Sequence, residues 1–446
     1  MSNIHQEENH EFDLAIKNGF ILSLDQDWTE YSSGLILINN DRIEYVGSED
    51  GYQNYIAKKT IDARGGIVMP TFFNGHTHSA MSIFRGMGSD QPLDSWLKDY
   101  IWPAEAKYLD PENVYLGSMV SAIEMIRCGT GAFVDMYFFQ EETLRACEKL
   151  GIRVVLGEGV LDFPTPNKKT PEEGFRYTEY LWNKYRNHPL ASISLPAHSP
   201  YTCSPEVLRE VGVLARKLDI PATIHLAETA WEDGEMKSKY GKSSTQLLTD
   251  LGFFDGKSVA YHCNHLSSAD IELLRENNVG IITNPYSNMK LGSGICPVPE
   301  LLEKGLTIGI GTDGPASNNN QCMLLDMQFL ARLHKMNKLD PTVLNARQVI
   351  KMATNNGAKN YGLGNELGTL EKGKLADLMI IDTEQAHWIP LNDPYSQIVY
   401  SMQPGDVNCT IINGELIMED HKIITVDEEY FISEISQLGK KIASQY

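Results

Sequence analysis

From Gly75 to Gly314 the chain alternates between stretches with helical periodicity and short β-branched stretches. "PENVYLGSMVSAIEMIRCG" gives way to "TGAFVDMYF", "QEETLRACEKLG" to "IRVVLGEGV", and "SPEVLREVGVLARKLD" to "IPATIHLAE". "LLTDLGFFDG" then leads to "KSVAYHCNHL", "SSADIELLRENN" to "VGIITNPYSN", and "PVPELLEKG" to "LTIGIGTDGP". Parallel strands need a crossover between them, and a helix is the compact way to make one, so this repetition predicts a parallel α/β architecture. Adding "GIVMPTFFNG" and "LASISLPAHSP" brings the count to eight strands, which fits a closed (β/α)8 barrel better than a doubly wound sheet. No G-x-G-x-x-G or G-x-x-x-x-G-K-[ST] pattern follows an early strand to support a dinucleotide or phosphate loop.

Both ends of the chain have a different texture. "DLAIKNGFILSLDQD" and "GLILINNDRIEYVGS" alternate apolar and polar residues around Asn, Asp and Gly turns, and "DVNCTIINGELIMEDHKIITVDEE" returns to that pattern. A small β domain closed from both termini is one arrangement such flanks allow. Acidic residues outnumber basic ones 59 to 38, a formal charge of -21, so the surface repels nucleic acids and anionic membranes. The start "MSNIHQEENHEFD" lacks the basic and apolar regions of a signal peptide, and no apolar run approaches the roughly 18 residues of a membrane span, so a cytoplasmic location is expected. Seven cysteines with no C-x-x-C pair read as reduced, packed side chains.

In such a barrel the C-terminal ends of all strands converge on one face, where active sites lie. His76 and His78 follow strand one, His198 strand four, His225 and Glu228 strand five, His262 strand six and Asp313 strand eight. A lone histidine after a strand is most often structural, but repetition after so many strands predicts a site. Three imidazoles and one carboxylate leave an open coordination position for water, which points to one divalent ion held by His76, His78, His225 and Asp313. Zinc leads, with Fe2+ and Mn2+ open, because the same ligand types serve all three. Beside that set, His262 suits orienting or deprotonating the water and Glu228 delivering a proton to a substrate, although Glu228 in isolation reads equally well as a salt-bridge partner.

"PTFFNGHTHSAMSIFRGMGSDQPLDSWLKDYIWPAE", "GAFVDMYFF", "PAHSPYTCS", "IHLAET", "NPYSNMKLGSGICPV" and "GTDGPASNNN", in this order, resemble the amidohydrolase superfamily. Within it they resemble the branch of 5-methylthioadenosine and S-adenosylhomocysteine deaminases and the related triazine chlorohydrolases. The resemblance covers nearly the whole chain. It implies a metal-dependent (β/α)8 TIM barrel at residues 69–368 with a flanking composite β-sandwich built from residues 1–68 and 369–446, and a homo-oligomer. It also implies a mononuclear site with the four ligands above, and hydrolytic deamination of a small-molecule nucleoside. Glu228 matches the acid that protonates the purine ring, His262 the histidine that positions the water, and Asp313 a ligand that also shuttles its proton. Glu105 and His198 look like nucleoside contacts, the first to ribose hydroxyls.

Some members of that branch carry an arginine after strand three, suited to the carboxylate of S-adenosylhomocysteine. Here "VVLGEGVLDFP" has Glu158 at that place, which would oppose a carboxylate, so 5'-methylthioadenosine or a related 5'-deoxyadenosine nucleoside is the expected substrate. Phe84, Met87, Trp96 and Trp102 are candidates to surround an adenine or methylthio group. A deaminase of another purine and a triazine hydrolase use the same metal chemistry and stay open as alternatives. Outside enzymes the alternative is a catalytically inactive barrel scaffold, against which the complete ligand set argues.

Overall fold

The computed structural model describes residues 10–444. Eight parallel strand positions ring one apolar interior: Phe72–Thr77, Thr130–Tyr137, Arg153–Glu158, the broken strand Ala191–Ile193 and Leu195–Ala197, Ala222–Leu226, Ser258–His262, Gly280–Thr283 and Ile308–Ile310. The break at Ser194 lets the first half of strand four pair with strand three and the second half with strand five. The ring meets itself where Asp313 N donates to His76 O at 2.9 Å.

Period-two alternation sorts the side chains. Phe73, Ala132, Val134, Met136, Val155, Val259, Tyr261 and Ile282 fill the barrel interior, whereas Val154, Leu156, Ile224, Leu226, Ala260 and Ile310 face the surrounding helices. Several helices in that outer layer carry the expected patterns, among them Pro111–Arg127, Gln140–Leu150 and Pro205–Leu218. Others were not read from the sequence, among them Pro171–Tyr185, Ala230–Tyr240, Met323–Lys338 and the final Glu428–Ala443. In the last, Asp427 caps the first turn by accepting from Tyr430 N, and Phe431 and Ile442 are buried, so an amphipathic helix stands where the strand-rich pattern ends.

The flanking segments do meet. A nine-stranded sheet takes strands from both ends of the chain, and Leu14, Ile36 and Ile38 share one apolar cluster with Leu378, Cys409 and Ile411. "GIVMPTFFNG" is two strands, not one. Ile67–Pro70 pairs antiparallel with Leu378–Ile381 in the outer sheet, and only Phe72–Thr77 belongs to the barrel. The boundary expected at residue 69 therefore falls inside the strand Ile67–Pro70. Its wholly apolar character has the expected cause, since all four residues are buried.

One buried ion pair joins the two parts. Arg153, at the start of strand three, donates from Nε and Nη2 to Asp377 at 2.6 and 3.0 Å, and Nη2 also reaches Asn413 Oδ1 at 2.8 Å. All seven cysteines are free and buried. No helix among the described residues is long and apolar enough to cross a membrane. The opening residues 1–9, on which much of the signal-peptide reading rests, lie outside the described residues.

Candidate active site

The site is assembled by departures from regular strand geometry. Strand one carries register shifts between Phe72 and Phe73 and between Asn74 and Thr77. These irregularities re-aim the chain so that His76 and His78 reach the barrel axis although Phe73 already faces inward. Strand eight presses against this bend: a Cβ on Gly311 would lie 2.8 Å from His76 N, so only glycine fits there. On strand six, Tyr261 points inward and strict alternation would turn His262 outward. His262 and Cys263 instead adopt φ of +66° and +54°, which rotates the His262 ring to within 5.4 Å of the His225 ring. Asp313 sits at φ +65°. Left-handed backbone at non-glycine residues costs of order 1–3 kcal/mol and persists where the surroundings hold it.

Four ligand atoms converge. His76 Nε2 lies 3.1 Å from His225 Nε2, and Asp313 Oδ1 lies 3.4 Å from His76 Nε2 and 3.2 Å from His78 Nε2. His78 Nδ1 is 2.5 Å from Met136 O, and His225 Nδ1 is 2.6 Å from His198 O. A carbonyl only accepts, so both rings carry their proton on Nδ1 and present Nε2 lone pairs to the same space. His76 is held differently: its Nδ1 is buried without a hydrogen-bond partner, and its ring stacks on Tyr261 with centroids 3.8 Å apart. Burial drives His76 down to about 3 and His225 well below the usual histidine range, so both are neutral. Burial pushes Asp313 up and His78 down, but their contact outweighs burial at both: it holds the Asp313 carboxyl well below its usual range and raises His78, so the pair attracts a positive charge into the space between them. Lone pairs crowded this closely around a carboxylate repel one another unless a cation lies among them, so the donor set fits a divalent ion. His76, His78 and His225 form one metal-competent group, and His76, His262 and Asp313 an overlapping one.

Around this centre lies a cavity of about 380 Å³ lined by His78, Trp96, Trp102, Glu105, His198, Glu228, His262 and Asp313. Burial raises Glu228 above the usual carboxylate range; its Oε2 is 3.9 Å from His262 Nε2, and Ser293 Oγ donates to its Oε1 at 3.4 Å. Glu105, pushed by burial up to about 7, accepts from Tyr137 OH at 2.7 Å. His198 has its Nδ1 3.0 Å from Thr202 Oγ1. Among the described residues, no lysine or arginine lines the cavity.

Three expected substrate contacts are elsewhere. Glu158 has the parity of Val154 and Leu156, which face the helices, so it is fully buried outside the cavity wall. There Gln140 N donates to it at 3.4 Å, and Lys168 Nζ lies 3.7 Å away. The neighbouring Gly159 lines the cavity in its place. Phe84 is buried in an apolar cluster with Ala80, Ile83 and Ile101 and does not reach the cavity. Met87 is also absent from the lining and accepts from Trp96 Nε1 through its carbonyl at 2.9 Å.

Sequence reasoning missed the residues that hold the site from behind. Ser287 and Ser317 donate to Asp313 Oδ2 at 2.6 and 2.8 Å, and Asn288 Oδ1 is 2.8 Å from His262 Nδ1. "NPYSNMK" held the signal: Asn284 and Asn288 are four apart across the start of the helix Pro285–Leu291, and both approach His262.

The family described as Amidohydrolase family matches residues 67–417. A 5-methylthioadenosine/S-adenosylhomocysteine deaminase of Syntrophobacter fumaroxidans is 41% identical over 96% of this chain and 98% of its own. A 5'-deoxyadenosine deaminase of Methanosarcina mazei is 41% identical over 97% of this chain and 99% of its own. Among solved structures, an adenosine deaminase from Xanthomonas campestris with bound zinc is similar with a TM-score of 0.95 and 31% identity, covering 98% of this chain and 100% of that one. A triazine hydrolase variant shares the fold with a TM-score of 0.88 at 21% identity, covering 96% and 99%.

Proposed function

The chain belongs to the amidohydrolase family, and on that premise we propose that it hydrolytically deaminates an adenine nucleoside with a neutral 5' group, 5'-methylthioadenosine first and 5'-deoxyadenosine beside it. The observation that carries this reading is a cavity that sets a converging metal-ligand group beside a buried acid, Glu228, and presents no cation. Both nucleosides appear in the names of relatives about 40% identical over nearly the full chain, one of which names S-adenosylhomocysteine as well, so the relatives support the adenine nucleoside and the cavity lining supports the neutral tail.

One divalent ion, zinc before iron or manganese, would be held by His76, His78, His225 and Asp313 and would supply the Lewis acidity that makes a water nucleophilic near neutral pH. His262, with Nδ1 engaged by Asn288, turns its Nε2 lone pair to the attacking water, orients it and takes its proton. Glu228, kept protonated by burial, gives its proton to the ring nitrogen beside the amino-bearing carbon. As water adds at that carbon the ring C=N becomes a single bond; the proton held by His262 then passes to the amino nitrogen, the exocyclic C–N bond breaks and ammonia leaves, and the new hydroxyl returns its proton to Glu228 as the keto purine forms. Glu105 uses one oxygen for Tyr137 OH and keeps the other for ribose hydroxyls. Trp102 and His198 supply the nucleoside walls.

The preference for a neutral tail no longer rests on Glu158, which faces away. It rests on Leu93, Trp96, Leu97, Phe163 and Pro164 lining the cavity, with no lysine or arginine among the described residues there to meet a carboxylate. A homo-oligomer and a cytoplasmic location belong to the same proposal; the free cysteines support a reducing compartment. The net charge of -21 supports a partner list without nucleic acid or membrane.

The test is ammonia release by metal-loaded protein from 5'-methylthioadenosine, 5'-deoxyadenosine, adenosine, S-adenosylhomocysteine, guanine and a chlorotriazine. Highest kcat/KM for the first two supports the proposal. Preference for guanine or the triazine replaces it, and absence of both metal and turnover leaves the scaffold reading.

A further inference from the structure

Glu232 is fully buried on the first turn of the helix Ala230–Tyr240, four residues beyond Glu228, and no step of the chemistry above uses it. Its carboxylate is committed to the bend that carries Glu228. Ala227 N donates to Glu232 Oε1 at 2.9 Å, and Glu228 N donates to Oε2 at 3.0 Å. Ser244 Oγ donates to Oε1 at 2.7 Å and braces the carboxylate from the next helix. The bend needs holding because Ala227 lies at φ +49°, a left-handed conformation that a residue with a Cβ rarely adopts. The carbonyl of Glu228 is held too: Asn264 Nδ2 donates to Glu228 O at 3.0 Å, and Asn288 Nδ2 donates to Asn264 Oδ1 at 2.9 Å. Asn288 in turn engages His262 Nδ1, so the main chain of Glu228 and the ring of His262 share one frame.

We propose that Glu232 is the positioning residue for Glu228: by accepting both main-chain N–H groups of the strand-five bend, it fixes the direction from which the acid reaches the substrate. Two acceptor oxygens are required. Glu232→Gln replaces one of them with an amide NH2, which opposes an N–H donor instead of receiving it. Glu232 is absent from the cavity lining and from the proposed ligand group, so it acts through the bend it holds, with Glu228 as the member of that bend that faces the cavity.

This inference rests on the reading of Glu228 as the acid, and a double-mutant cycle in the metal-loaded full chain separates the two. Glu232→Gln is expected to lower kcat by roughly 10- to 100-fold, the scale of a misplaced reacting group, with KM within about 3-fold and metal content unchanged. In a Glu228→Gln background the same substitution is expected to cost no further kcat. Losses that multiply, or a Glu232→Gln enzyme with undiminished kcat, overturn the positioning role. Should Glu232→Gln fail to fold, Ser244→Ala removes a single bond to Oε1 and enters the same cycle. Its loss of about 2- to 10-fold must likewise vanish in the Glu228→Gln background, and persistence there overturns the proposal. A Glu228→Gln enzyme with full kcat removes the acid itself, a result distinct from multiplying losses.

Discussion

Replacing Glu228 with Gln keeps the side chain's length and its capacity to donate a hydrogen bond while removing the proton it can release. The surroundings accommodate the change: Ser293 Oγ lies at 3.4 Å and His262 Nε2 at 3.9 Å from the carboxyl, and among the described residues no lysine or arginine pairs with it. A lost general acid costs about 10²- to 10⁴-fold in rate, or about 2.7 to 5.4 kcal/mol of barrier at 1.36 kcal/mol per decade. Because Gln still fills the wall, KM should stay within about 3-fold, and because Glu228 is outside the proposed ligand set, metal content should not change. The sign of the pH dependence follows from burial, which raises this carboxyl above its ordinary value. The active form is protonated, so kcat is sustained below the raised pKa and falls as pH climbs through it; Glu228→Gln should lack that basic limb. Glu105 titrates in the same cavity, pushed by burial to about 7, so Glu105→Gln is the control in which the Glu228 limb should persist. The assay is ammonia release across pH with saturating 5'-methylthioadenosine. A Glu228→Gln enzyme within about 3-fold of the parent kcat, or one with an unchanged basic limb, would refute the assignment.

Removing an imidazole from the ligand group should empty the site: His225→Ala is expected to lose stoichiometric metal by elemental analysis and with it turnover, and full metal retention would strike His225 from the set. Arg153→Met leaves Asp377 buried without its guanidinium and should destabilise the junction of barrel and outer sheet by about 3–5 kcal/mol, read as a lower denaturant midpoint. A midpoint unchanged from the parent would show that water or relaxation replaces the pair. Glu158→Gln should lower stability by about 1–3 kcal/mol while leaving the ratio of kcat/KM for 5'-methylthioadenosine and S-adenosylhomocysteine unchanged, because the carboxylate lies behind the cavity wall. A shifted ratio would place Glu158 in contact with the substrate after all.

The barrel was legible because its signal is local and repeated. Each strand and helix writes its own hydrophobic period into a short window, and the strand-end positions of His76, His78, His225 and Asp313 follow from that count alone. The motifs and their order carried the family resemblance, since reading them does not depend on knowing where a side chain points. The misplacements began where facing mattered. Glu158 and Gly159 are adjacent at the end of strand three, and one residue of parity decides which of them lines the cavity. Reading Glu158 as a cavity residue required knowing which of its neighbours faced inward, and only packing against Val155 on one side and Leu156 on the other determines that.

The ionisable residues themselves, their spacing and their order after the strands were determined by the sequence. Tertiary structure decided how they are aimed. His262 enters the site against its strand's alternation because a left-handed backbone turns it there, and His76 does so through the register shifts of strand one. Glu232 reaches the bend before Glu228, and Asn264 and Asn288 link that bend to His262, across separations that no local window spans. The physical reason is common to all of them: hydrophobic periodicity fixes which elements form and costs nothing to read locally. A strained backbone angle or a buried carboxylate, by contrast, is tolerable only when hydrogen-bond partners from distant elements converge on it, and that convergence exists only in the folded chain.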